Sequence, residues 1–559
     1  MTRKAETLIL LAVVSVIFAL YGSFYSNTFL YDDSEQVLAQ QPLESFDDLI
    51  MIFTEPSFPT LPYYRPLTRA SIVFQKTLHG DDARWFHLFN ALLASMTVGI
   101  AWLLIRLPVF RIQPVPALFV VALFGLHPAA SSCVYPVASG RETLLPAALI
   151  LLSTWCFLKG TRKYYWWAVV TCGLAFLAKE QAIVLPVLFV TADRLKLTGL
   201  PEQIQKIDWL RRYAPFLLLT AGYLLLRWLL FSGTEVKLML AEQPLGPFYS
   251  LLYSLQTSFV PFVELVYEPP IDVWFDPMRI TVALLLTGIL IYFVFRKSDV
   301  LARTACFWGA WFLLLILPTS NILEQECFYS ERYVFLAMLA PLALFASIVS
   351  QYWDRFLVRK LFVITGLLAG VCLVCISGIR GFYFENEETF FQQWVNTNPS
   401  SPTAHVHLGL VYASHGQFSE AIACYERALA IDPEFTGALI NQANDLVTMQ
   451  QYDQAIQLYQ RSLELLDEKL QHLEVGVYHN LGNAWWGKQD AERAIQSYEH
   501  AIELSPEHLP SYLALADIYL QQNQPAHAAR YLNAALKLES ATKQKQREIH
   551  NVMQRFHLE

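Results

Sequence analysis

The chain has 559 residues, 55% hydrophobic and only 16% charged, with a formal net charge of −8. Soluble domains carry nearer 25% charged residues, so the composition excludes an ordinary cytosolic enzyme, and equally disordered, collagenous and small disulfide-bonded classes. Residues 1–380 hold 29 basic and 26 acidic side chains and residues 381–559 hold 11 and 22, so a nearly neutral apolar part precedes a soluble acidic one.

A membrane-spanning helix needs about 20 mostly apolar residues. Runs of that kind begin near Thr7, Leu88, Pro114, Thr143, Tyr164, Gln181, Tyr213, Arg279, Thr304, Tyr333 and Leu361. The spacing therefore predicts an all-α, polytopic domain of about 11 spans over residues 1–380. The first run is read as a retained span, because Ser23–Thr28 lacks a small-x-small cleavage site. Arg3 and Lys4 start on the cytoplasmic side. Alternate loops then hold Arg106/Arg111, Lys159/Arg162/Lys163, Arg194 to Arg212, Arg296/Lys297/Arg303 and Arg355/Arg359/Lys360. Together these short segments carry 18 of the 29 basic residues, as the positive-inside rule requires. Residues 246–266 are apolar enough to span but would invert the later charges, so they read as a re-entrant or interfacial helix. An odd number of spans puts the first long loop, 26–87, and everything after residue 380 on the non-cytoplasmic side.

Beyond a linker, 381–401, residue classes recur in units that begin at Pro402, Thr436, Val475 and Leu509. The first unit has Leu408, Gly409, Tyr412, Gly416, Ala421, Tyr425, Ala428 and Pro433. The third repeats it with Leu481, Gly482, Trp485, Ala494, Tyr498, Ala501 and Pro506. This is the tetratricopeptide pattern, in which small residues sit where two helices cross and aromatics fill the gaps. Four repeats are expected over 402–540, with a longer connection near Asp467–Glu474 and a capping helix over 541–559. Such an array presents a concave surface to a peptide or protein; a spacer or self-association module is the alternative. No basic stripe invites nucleic acid. The eight cysteines lack metal-site spacing, and Cys156, Cys172, Cys306, Cys372 and Cys375 lie in apolar runs.

Polar residues at membrane depth or at helix ends are costly and point to function. Five such clusters fall on the outer side. Tyr31-Asp32-Asp33-Ser34 follows the first span, and Tyr63 to Thr68, including Arg65, lies in the same loop. His127-Pro128 precedes Ser139-Gly140-Arg141-Glu142, Lys179-Glu180 interrupts an apolar stretch, and Ser320-Asn321 precedes Ser330-Glu331-Arg332-Tyr333. Adjacent carboxylates repel, and one of them with a raised proton affinity suits a general base. The alternative for Asp32 and Asp33 is a solvated helix cap. Arg141, Lys179 and Arg332 could gather round a phosphate, with arginine offering paired donors. Each ionic pair alone also fits a structural salt bridge, and His127 a helix terminator.

Taken in order, YDDS, YYRPLT, FHLFNALL, LFGLHP, SGRETLL, AKEQAIVLP and SNIL…SERYVFL, followed by the repeats, resemble the transmembrane and tetratricopeptide-repeat O-mannosyltransferases. That family falls within the membrane glycosyltransferases of the C-type fold. The resemblance implies transfer of a sugar, mannose or another hexose, from a polyprenyl-phosphate-linked donor to Ser or Thr of a protein. It places the acidic pair on Asp32 and Asp33, with Asp32 as base, and the donor phosphate at Arg141, Lys179 and Arg332. Arg65, His127, Glu142, Glu180, Glu331 and Tyr333 support them. No cofactor is required for departure of a lipid phosphate, although a divalent metal ion at Asp32/Asp33 is compatible. One departure stands out: Ala130 and Ser132 occupy places where the family has His and Glu after the His-Pro pair. Compact length and few repeats suggest a bacterial relative with the first loop and the repeats in the periplasm, or lumenal if eukaryotic. Rival readings are a transferase acting on lipid or polysaccharide and an inert membrane-anchored repeat scaffold.

Overall fold

The computed structural model describes residues 2–30, 33–55, 63–198, 209–230, 245–259, 277–295, 299–320, 330–466, 471–538 and 543–555. Every multi-residue regular element among them is helical. The chain divides into two compact units, Met1–Asn398 and Pro399–Glu559.

The first unit begins with α1 (Arg3–Gly22), then α2 (Phe46–Thr54), α3 (Pro66–His79) and α4 (Ala83–Ile105). Next come α5 (Pro114–Leu126), α6 (Pro128–Val134), α7 (Ala138–Lys159), α8 (Arg162–Ala178) and α9 (Leu185–Arg194). The helices Trp209–Leu230, Gly246–Phe259, Pro277–Phe295, Asp299–Ile316, Leu339–Gln351 and Phe356–Tyr383 follow. The stretch read as a linker includes a further helix, Glu387–Thr397, which a capping box at Asn386 starts and which buries Phe390, Phe391 and Trp394.

Among the described residues six helices are long and apolar enough to cross a bilayer, or seven if the bent pair α5–α6 counts as one span. The expected count of 11 is not reproduced by that measure. Of the four other candidates, Arg162–Ala178, Leu185–Arg194 and Leu339–Gln351 are helices of 17, 10 and 13 residues, whereas Pro277–Phe295 has 19. Lys179-Glu180 separates α8 from α9, and the 13-residue Leu339–Gln351 helix begins only after the turn that holds Glu331. The Gly246–Phe259 helix covers the first 14 residues of the stretch expected to be re-entrant or interfacial, and residues 260–266 lie outside the described set.

The break between α5 and α6 bends the chain by 52°. Pro128 cannot donate to the preceding turn, so carbonyls at the end of α5 lose their helical partners. Two hydroxyls from other helices take them up. Tyr21 Oη donates to the Gly125 carbonyl at 2.8 Å, and Ser377 Oγ to the Leu126 carbonyl at 2.9 Å. His127 closes the corner by accepting the Ala129 N–H at Nδ1.

The second unit is four helix pairs: Pro402–Ser414 with Phe418–Ile431, Thr436–Thr448 with Tyr452–Leu465, Gln471–Gly487 with Ala491–Leu504, and Leu509–Gln521 with Pro525–Leu536. Ala421, Ala455, Ala494 and Ala528 are fully buried at the crossings. A β-carbon at Gly409 would lie 2.5 Å from the Tyr425 ring, and one at Gly482 2.6 Å from Tyr498, so these glycines set the helix spacing. The turn within each pair contains one left-handed residue: Gly416 (φ 75°), Gln450 (61°), Gln489 (66°) and Asn523 (57°). The Lys543–Arg555 helix places Ile549 and Met553 against Ala528, Leu532 and Ala535. Residues 467–470, in the longer connection, lie outside the described set.

Candidate active site

The site is organised around the first turn of α7. Asp33 is buried, and both carboxylate oxygens accept backbone N–H groups. Ala138 donates to Oδ1 at 2.7 Å, Leu30 to Oδ2 at 3.0 Å and Val137 to Oδ2 at a long 3.4 Å. An anion thus satisfies donors at the helix N-terminus and complements its dipole. Asp32, the expected base, lies outside the described residues.

Gly140 and Arg141 follow in the same turn. A β-carbon at Gly140 would come within 2.4 Å of the Cys133 carbonyl, so glycine lets α7 approach α6. Arg141 turns inward and is fully buried. Its Nε donates to Asn90 Oδ1 at 2.8 Å, one terminal nitrogen to Ser71 Oγ at 3.2 Å, and the other to Gln75 Oε1 at 2.8 Å. The guanidinium also stacks on Phe89, 4.3 Å from the ring centre. Arg141 therefore ties α7 to α3 and α4 through neutral acceptors, an arrangement different from the open phosphate ligand expected of it. Asn90 continues the tie by donating to the Pro136 and Val137 carbonyls at 3.1 and 3.0 Å.

Glu142 accepts from Arg65 at 2.5 Å. The same guanidinium grips Glu180 in a fork, with Nε donating to one oxygen at 3.0 Å and a terminal nitrogen to the other at 2.5 Å. Arg65 lies 4.2 Å from the Tyr63 ring centre and is the N-cap of α3, whose first helical residue is Pro66. Thr68 Oγ donates to the Ala178 carbonyl and fastens α3 to the end of α8. One arginine thus serves two carboxylates, and the second cation nearby is Lys179. Its side chain is buried within Coulombic reach of Arg65, Glu142, Glu180 and Arg332. It makes no ion pair within 4.0 Å among the described residues. Gln36, Gln40, Arg65, Thr68, Arg69, Ile72 and Glu142 line a small cleft at this cluster.

Glu331, Arg332 and Tyr333 form a single 3-10 turn. Glu331 faces inward to a buried pair with Arg380, and Ser132 Oγ donates to the same carboxylate at 2.7 Å while accepting from Arg380 at 2.8 Å. The departure at Ser132 is thereby accommodated: a hydroxyl joins a pair that already balances its own charge. Arg332 stays half-buried, 5.8 Å from the Tyr333 ring centre. Sequence reasoning passed over Arg380, Asn90, Ser71 and Gln75. Arg380 carried a usable signal, a cation near the end of a 28-residue helix that is free of charged residues between Lys360 and itself.

Among the described residues no three His, Cys, Asp or Glu side chains converge as a metal ion needs. Asp33, half of the expected pair, directs its oxygens at backbone donors.

Apolar helices long enough to cross a bilayer and a tetratricopeptide-repeat solenoid define a membrane protein with an attached repeat array. Tetratricopeptide-repeat family models match residues 402–435, 435–507 and 486–553. Along most of its length the chain is similar to protein O-mannosyl-transferases. It is 20% identical to the human protein O-mannosyl-transferase TMTC3 over 94% of this chain and 64% of the relative, and 21% identical to a Caenorhabditis elegans protein O-mannosyl-transferase over 76% and 63%. The chain thus spans under two thirds of the length of these relatives. Among solved structures, MamA from Desulfovibrio magneticus RS-1 aligns at 18% identity and a TM-score of 0.25, covering 28% of this chain and 85% of that one.

Proposed function

We propose that the protein is a membrane glycosyltransferase that moves a hexose from a polyprenyl-phosphate donor to Ser or Thr hydroxyls of a protein, on the non-cytoplasmic face. The observation that carries the reading is the buried cluster in which Arg65 is shared by Glu142 and Glu180 while Lys179 stands beside it without a direct ion pair among the described residues. The similarity to protein O-mannosyl-transferases over most of the chain supports it. In this reaction the acceptor oxygen bonds to the anomeric carbon as the bond from that carbon to the phosphate oxygen breaks. Asp32 takes the hydroxyl proton, and the polyprenyl phosphate leaves as an anion held by Lys179 and Arg332. Asp33 and Arg141 act as positioning residues, holding the first turn of α7 against α3 and α4. Arg65 fixes Glu142 and Glu180 in place. His127 holds the corner before α6, Glu331 anchors the turn that presents Arg332, and Tyr333 lies beside that cation. The repeats raise the local concentration of acceptor.

The test is glycopeptide mass spectrometry of envelope proteins from cells with wild-type protein, Asp32→Asn or Lys179→Met at equal abundance. Loss of a hexose-sized addition on Ser or Thr in both variants is the expected result. Identical glycopeptides in all three strains refute a protein acceptor, and lipid extracts from the same cells then reveal whether a lipid is modified instead.

A further inference from the structure

The small cleft beside Arg65 lies between two walls that are tied to one another. One wall is the single helical turn Ser34–Leu38, which follows Asp33 directly. Lys76, buried on α3, reaches across to it and donates from Nζ to the Val37 and Leu38 carbonyls at 3.0 and 2.8 Å. The other wall is the start of α3, with Thr68, Arg69 and Ile72. Arg69 Nε bridges the two by donating to Gln40 Oε1 at 3.1 Å. Side chains held on such a frame lose little freedom when they engage a ligand.

Two groups that line the cleft have hydrogen-bonding capacity to spare. Arg65 takes up Glu142 Oε2 at 2.5 Å, whereas Glu142 Oε1 has no hydrogen-bond partner among the described residues. The half-buried Gln36 carboxamide has none among them at either end. Arg65 and Lys179 balance the charges of Glu142 and Glu180, so the cleft presents a nearly desolvated acceptor and a neutral amide. A phosphate or carboxylate meets the Glu142 oxygen with like charge, and an ammonium comes up against the Arg65 guanidinium on the same carboxylate. An apolar group leaves the oxygen and the amide unmatched, which is costly where water is largely shut out. A hydroxyl donates to Glu142 and accepts from Gln36 at once, and the cleft has room for about one water-sized group.

The surroundings indicate which hydroxyl this is. Lys179, which holds the leaving phosphate in the proposed reaction, lies within Coulombic reach of Glu142. In a sugar phosphate the ring is bonded to that phosphate through the anomeric carbon, so its hydroxyls sit only a few bonds away. A Ser or Thr acceptor has a single side-chain hydroxyl, and that one must reach the base. A hexose has several, and its epimers differ in the direction of just one.

We propose that Glu142 and Gln36 form a subsite for one ring hydroxyl of the transferred hexose, with Glu142 accepting a hydrogen bond from it and Gln36 donating one to it. The subsite rests on the transferase reading and adds to it the residues that tell one hexose from another. An epimer that turns this hydroxyl away leaves Glu142 Oε1 shut off from water and unpaired, which is how a site built round a hydrogen bond rejects the wrong substrate.

The test is binding by full-length protein in lipid nanodiscs, without acceptor, of short-chain prenyl-phosphate mannose and glucose and the monodeoxy forms of each. The variants are Gln36→Leu, which removes the amide and breaks no hydrogen bond of the described residues, and Glu142→Gln, which keeps an oxygen for Arg65. For the better-bound sugar, wild type should hold one deoxy form about ten- to a hundredfold more weakly than the parent. Gln36→Leu should weaken the parent about three- to tenfold and leave that deoxy form unchanged. Glu142→Gln should shrink the preference for parent over deoxy form to about threefold. Deoxy forms that all bind as well as their parents overturn the subsite, as does a preference that survives both substitutions with thermal midpoints unchanged. Variants that keep the preference but raise KM for Ser and Thr peptides assign the hydroxyl to the acceptor and overturn it too. Binding that follows the subsite while no sugar reaches a peptide leaves it standing and refutes the transferase reading alone.

Discussion

Replacing Asp33 by Asn separates anchoring from catalysis. The carboxylate accepts from Ala138 at 2.7 Å on one oxygen and from Leu30 at 3.0 Å on the other, with Val137 at 3.4 Å. An amide keeps one oxygen, so at least one buried N–H meets an N–H₂ group. Losing a hydrogen bond to a charged acceptor costs about 1.5–3 kcal/mol. The lost interaction with the α7 dipole adds about 0.3–1 kcal/mol. The sum is about 2–4 kcal/mol, or, at about 2.1 cal/mol/K per residue for the unit Met1–Asn398, an apparent thermal midpoint lower by about 2–5 °C. Scanning fluorimetry of detergent-purified protein gives the midpoint, and glycopeptide yield per folded molecule gives activity. The expected pattern is a clear loss of stability for Asp33→Asn with activity per folded molecule reduced in step. A midpoint within about 1 °C of wild type together with complete loss of transfer refutes the anchoring argument and makes Asp33 a base.

Three further outcomes are expected. Gly482→Ala drives a β-carbon to 2.6 Å from Tyr498 and lowers stability by about 1–3 kcal/mol, whereas Gly476→Ala, with open space around it, raises it by about 0.5–1 kcal/mol; chemical denaturation of the full chain distinguishes the two. Burial and the neighbouring His508 push the His479 imidazole down to about 4. Because the unfolded chain binds the proton more readily, stability is full above about pH 6.5 and declines as pH falls towards 4. Screening by solvent holds the effect to about 1–2 kcal/mol, and His479→Gln should flatten the pH dependence of the thermal midpoint. Arg380→Met strands the buried Glu331 carboxylate at a cost of about 3–5 kcal/mol, while pairing it with Glu331→Met should recover much of the loss in thermal scans.

The repeats were legible because a periodic constraint repeats its evidence. Gly409 and Gly482 face Tyr425 and Tyr498 for the same steric reason, and the left-handed turn recurs even where Gln450, Gln489 and Asn523 replace Gly416. The span count was less legible. Hydropathy averages over a run and does not mark where an α-helix begins: the run read from Tyr333 becomes one only at Leu339, and that read from Gln181 only at Leu185. In the site, the joining of Arg65 with Glu142 and Glu180 lay beyond sequence reasoning, since the three come from separate segments 77 and 115 residues apart. The direction of Arg141 was equally hidden. Its acceptors, Asn90, Ser71 and Gln75, are ordinary polar residues on two helices, and only packing reveals that they surround one guanidinium.

The corner between α5 and α6 has a mechanical consequence. Tyr21, Leu126 and Ser377 are buried, so no water replaces a lost hydrogen bond there, and the carbonyls of Gly125 and Leu126 depend on Tyr21 from α1 and Ser377 from the Phe356–Tyr383 helix. A chain break that would act as a hinge in a soluble protein is here a riveted joint. Sliding either partner helix strips a carbonyl bare, so the three helices move together or not at all. The Ser132–Glu331–Arg380 contact sits on the same assembly, since Arg380 lies one turn beyond Ser377 and Ser132 lies in α6. Motion that opens a path for a lipid-linked substrate is therefore expected elsewhere in the unit, away from this braced corner.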